Sequence, residues 1–66
     1  MHVIKITLGN ESGFYKNIIN NEVLIVDKKD DAFIFHEQHK AAKSADLVKF
    51  KLKNAIVEIK TLGYAK

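Results

Sequence analysis

The chain opens on strict alternation. In His2-Val3-Ile4-Lys5-Ile6-Thr7-Leu8 the aliphatic residues Ile4, Ile6 and Leu8 fall on one side of an extended backbone, which predicts a half-buried strand. Gly9-Asn10-Glu11-Ser12-Gly13 follows as a turn cluster in which either glycine can take a positive φ. Phe14 to Ile19 predicts a second strand and Glu22 to Val26 a third. Between them, Asn20 and Asn21 tolerate the left-handed conformation that a tight hairpin demands.

The pattern changes after Lys28-Lys29-Asp30-Asp31. Either aspartate can cap a helix by accepting the free N–H groups of its first turn. Beyond them Ile34, Ala41, Ala45, Val48 and Leu52 recur at offsets of seven, four, three and four, while Lys40, Lys43, Lys49 and Lys53 fall mostly elsewhere. This predicts a helix from about Asp31 to about Leu52, ended by Asn54 in the αL conformation. Ala55 to Lys60 reads as a last strand with Val57 and Ile59 facing inward. A competing reading exists for residues 47–53. Leu47 to Leu52 also alternates, and a Lys53-Asn54 turn would pair Phe50 with Val57 and Lys49 with Glu58 in a hairpin. The helical reading uses more of the chain and leaves Phe50 off the buried stripe. Both readings give one α+β domain over residues 1–66: a small antiparallel sheet of three to four strands packed against one main helix.

Composition narrows the function classes. A chain of 66 residues buries about 60% of its unfolded surface and leaves little for a deep cleft. It has no cysteine, so no disulfide or thiolate metal site reinforces the core, and the 47% hydrophobic fraction must supply the stability. No apolar run approaches the roughly 20 residues that span a bilayer, and the start lacks the pattern of a signal peptide. A cytoplasmic location and no membrane partner are therefore expected. The net charge is +3, with 11 lysines and no arginine. Arginine supplies the bidentate contacts typical of specific nucleic-acid recognition, so no specific nucleic acid is expected. Lysine still allows weak, salt-sensitive RNA contact.

Candidate chemistry is thin. His36-Glu37-Gln38-His39 places its histidines at i and i+3, whereas a zinc-protease helix needs them at i and i+4, where Lys40 stands. A third ligand would have to come from His2 or a carboxylate. A nuclease built on the same histidines would need a poised acid and base plus a phosphate clamp, and nothing in the sequence positions them. No catalytic, metal or cofactor-binding residue is therefore expected, and no cofactor. The aromatic residues say more. Phe14 is expected in the core. Phe33 and Phe35 flank Ile34 on the predicted helix and cannot both share its stripe, so at least one should be partly exposed. An exposed aromatic beside lysines is the composition of a protein-binding hot spot.

Several short segments carry a resemblance. Asn10-Glu11-Ser12-Gly13-Phe14-Tyr15-Lys16-Asn17-Ile18 is similar to a stretch of the Dmd antitoxin family of T4-type bacteriophages, with the shared pattern Asn-Glu-Ser-x-Phe-x-Lys-x-Ile. The opening Ile4-Lys5-Ile6, then Lys29-Asp30-Asp31, Gln38, Ala45, Phe50 and Ile56-Val57-Glu58-Ile59, resemble the family at like spacing from the aspartates onward. The chain departs from the pattern in a shorter first turn and a longer Ile19–Lys28 stretch. Where the family pattern has a tryptophan at the start of the helix, Ile34 stands here between Phe33 and Phe35. The resemblance implies a phage-encoded antitoxin that works in the host cytoplasm. It would bind a bacterial toxin endoribonuclease of the RnlA/LsoA type, occupy its active-site groove and protect phage mRNA from degradation.

A basic inhibitor does not mimic RNA, so it must fill the groove sterically, with Asp27, Asp30, Asp31 and Glu37 available to meet basic residues of the toxin. The expected partner-binding surface is Phe33, Phe35, His36, His39 and Lys43 on the exposed first half of the helix. Rival expectations are a phage or mobile-element accessory protein that binds another host protein, and a weak RNA-binding module.

Overall fold

The computed structural model describes residues 1–62. Strands β1 (His2–Leu8), β2 (Glu11–Ile19), β3 (Glu22–Val26) and β4 (Ile56–Thr61) form one antiparallel sheet in the order β3-β2-β1-β4. Helix α1 (Gln38–Lys51) packs on one face of it, across β1 and β4. This is the α+β arrangement that the hydrophobic pattern predicts.

Both hairpins turn on two residues. Gly9 has φ 61° at the first position of the β1–β2 turn, and Asn20 and Asn21 have φ 53° and 68° in the β2–β3 turn. These primed turns match the right-handed twist of the strands they join. The first is tighter than the sequence suggests, because Gly9-Asn10 alone reverses the chain and β2 begins at Glu11 rather than Phe14. Gly13 therefore lies inside a strand, opposite Ile6. A Cβ there would come within 2.9 Å of the Val26 carbonyl oxygen and would strike the Ile25 side chain. Close approach of β3, and not a turn, requires that glycine.

The core joins Ile4, Ile6, Tyr15, Phe35, Ala41, Ala45 and Val48. Cross-strand partners share a face, so the pairs Ile4–Ile59 and Ile6–Val57 place Val57 and Ile59 under the helix, as expected. Leu8, expected inside, is exposed where it closes the first hairpin opposite Glu11. Phe14 is a further correction. Its partner is Lys5, on the face away from the helix, and it is only half-buried there, while its neighbour Tyr15 enters the core. The β2–β3 register slips between Tyr15 and Asn17. That bulge adds a residue and shifts the alternation, so Tyr15 and Ile18 both pack with the core although they are three apart.

The helix is shorter than expected. Lys29–Asp31 form a single 3₁₀ turn, Ala32 is extended, and α1 starts only at Gln38. Residues 33–35 are instead held by the sheet. Phe33 N–H donates to the Tyr15 carbonyl at 3.0 Å, and His2 and Phe35 exchange two backbone hydrogen bonds at 2.8 Å. Backbone groups of Tyr15 within β2 and of His2 at the start of β1 thus compete successfully with the helix for this apolar stretch. Ile34 consequently leaves the helical stripe, whose buried members are Ala41, Ala45 and Val48. Residues 47–51 are helical, so the competing hairpin does not form. The helix ends at Lys51, with Leu52 N–H on the Val48 carbonyl, and Asn54 does not adopt the left-handed conformation predicted for it.

Candidate functional site

An aromatic triad forms where the extended lead-in to α1 crosses the sheet. Tyr15 stacks on Phe35 with ring centroids 5.9 Å apart. Phe33 meets Phe35 edge-to-face at 4.7 Å and Tyr15 at 6.4 Å. Tyr15 and Phe35 are 8% and 7% exposed, whereas Phe33 is 47% exposed. Two buried rings therefore fix the orientation of a third that remains open to solvent. Offset and edge contacts of this kind add about 0.5–1.5 kcal/mol each beyond simple burial. The Phe33 N–H bond to Tyr15 pins the backbone as well.

The residues expected at a binding surface separate into two groups. Phe33, Phe35 and His36 do not lie on the first half of a helix; they precede α1 in the extended segment, for the hydrogen-bonding reason given above. Phe35 is buried and can act only as a support for Phe33. His36 is exposed. His39 and Lys43 do lie on α1, one helical turn apart and both exposed. Tyr15 completes the triad and was hidden in the sequence by the bulge beside it.

Glu37 is the residue before the first turn of α1, in an extended conformation and without a side-chain cap. Its carboxylate instead lies 3.3 Å from His39 Nε2 and 4.0 Å from Lys40 Nζ. All these groups are solvated, so the contacts organise local charge more than they stabilise the fold. The stretch that follows Phe33 thus carries both signs of charge within a few residues. No known protein family, curated protein or solved structure matches this chain. The chemistry of the surface must therefore be read from its own residues.

Among the described residues, no group of three or more His, Cys, Asp or Glu lies together as a metal site would require. Two shallow depressions are lined by Ile19, Asn20, Glu22, Val23 and Leu24 in one case, and by Ile6, Leu8, Glu11, Ser12, Gly13, Ile25 and Asp27 in the other. Neither contains a histidine or lysine that could pair with a carboxylate as acid and base. No helix of the described residues is long and apolar enough to cross a membrane.

Proposed function

We propose that this chain is a phage-encoded antitoxin that binds and blocks a bacterial toxin endoribonuclease of the RnlA/LsoA type. The observation that carries this reading is the half-exposed Phe33 held on the buried rings of Tyr15 and Phe35. A rigid aromatic anchor of this kind loses little conformational freedom on binding and can fill an apolar pocket. His36, Glu37, His39 and Lys43 follow it in sequence and are all exposed, a polar complement to the aromatic anchor. The resemblance of Asn10–Ile18 and the later short motifs to Dmd antitoxins supplies the identity of the partner.

Steric exclusion of RNA suits the charge. A chain of net charge +3 does not imitate a polyanion, so steric filling anchored by Phe33 must outweigh electrostatic mimicry. The exposed carboxylates of Asp27, Asp30, Asp31 and Glu37 offer local partners for basic residues that line an RNase groove. Co-expression with an RnlA/LsoA-type toxin should restore growth, and the two proteins should copurify. Phe33→Ala should weaken the complex about 30-fold, corresponding to roughly 2 kcal/mol for a hot-spot residue. Failure of the wild-type chain to rescue growth or to copurify would remove the reading altogether.

A further inference from the structure

We infer that the outer edge of β3 is a self-pairing surface through which two copies of this chain join their sheets. The Asn20-Asn21 turn sets the hydrogen-bonding phase of β3. In a two-residue hairpin the closing pair, here Ile19 and Glu22, exchanges both hydrogen bonds. Residues along β3 then alternate: Glu22, Leu24 and Val26 direct their N–H and C=O toward β2, while Val23 and Ile25 direct theirs outward. Because β3 ends the sheet, no neighbouring strand among the described residues takes those outward groups.

The strand is complementary to itself. An antiparallel copy with its twofold axis at Leu24 sets Val23 against Ile25 of the copy, and Ile25 against its Val23. Both pairs then exchange both hydrogen bonds in register. Leu24 meets Leu24 on the face away from the helix. Glu22 meets Val26 of the copy, so no like charges oppose each other. A depression of about 370 Å³ runs beside Glu22, Val23 and Leu24, rimmed by Ile19. The same register brings Val26 of the copy to it. Ile19 and Leu24 are 51% and 43% exposed in the single chain, apolar surface that this pairing would cover.

The other edge differs in the way natural sheets avoid such pairing. On β4 the exposed side chains opposite the helix face include Glu58 and Lys60, which lie 3.8 Å apart. Charged edge strands resist association, and Glu22–Val26 has no lysine and no proline to do so. One short strand per copy makes a small interface, so affinity roughly in the micromolar range or weaker is expected. The inference is independent of the toxin reading, since β3 contributes no residue to the Phe33 triad.

Sedimentation equilibrium over a concentration series tests it. The wild-type chain should pass from monomer to dimer. Leu24→Lys and Leu24→Asp should each remain monomeric, because like charges then face each other at the axis. An equimolar mixture of the two variants should regain the dimer, and circular dichroism of each variant alone should match the wild type. A wild-type chain that stays monomeric would overturn the inference and leave the edge to a foreign strand. A dimer that survives in either variant, or variants that fail to pair when mixed, would overturn it equally.

Discussion

Gly13 shows how a single missing carbon can hold a sheet together. The backbone of β3 approaches so closely that Gly13→Ala must push Ile25 or the Val26 carbonyl aside. Overpacking of this kind costs about 1–3 kcal/mol, which urea denaturation will resolve. At the β2–β3 turn, Asn20 and Asn21 carry the opposite constraint, a positive φ that side chains rarely accept. Asn20→Val should cost about 1–2 kcal/mol by the same measurement, because a β-branched residue is strained there. Within the triad, burial separates two phenylalanines only two positions apart. Phe35→Ala should cost about 3–5 kcal/mol. For a domain whose whole stability is roughly 3–10 kcal/mol, that is enough to unfold much of the population. Phe33→Ala should leave the domain folded, since half of its ring is already in water.

At the scale of elements, the strands were legible because each repeats a simple period between turn residues whose chemistry is local. The third strand, Glu22–Val26, has the predicted limits, and the fourth differs by a residue at each end. The first half of the predicted helix was not legible. Asp31 has the side chain of a cap, but the groups that decide the conformation of Phe33–Phe35 belong to Tyr15 and His2, far away in sequence. The real start at Glu37-Gln38 carries no Ser, Thr, Asp or Asn to announce it. The same long-range pairing placed Phe33 and His36 in an extended segment and buried Phe35. The bulge near Lys16 likewise puts Tyr15, and not Phe14, on the core side with Ile18. Phe50, by contrast, follows its helical phase and stands 73% exposed. Phe50→Ser should therefore change stability by less than about 0.5 kcal/mol in thermal or chemical denaturation.

Across the whole molecule, the α+β scaffold displays two distinct surfaces: an aromatic anchor beside α1 and an open strand edge at β3. The scaffold invests its buried aromatics in fixing Phe33, and its lysines are spread along the chain. A complex carried by that anchor should be tight, stoichiometric and only mildly sensitive to salt, whereas lysine-driven RNA binding would weaken steeply as salt rises. The most direct measurement titrates an RnlA/LsoA-type toxin with the chain while RNA cleavage is followed. The antitoxin account predicts that cleavage stops at a fixed stoichiometry with the wild-type chain, and that Phe33→Ala, still folded, needs about 30-fold more protein once the complex is assayed near its dissociation constant. Cleavage that continues in excess wild-type chain, or inhibition unchanged by Phe33→Ala, would contradict it.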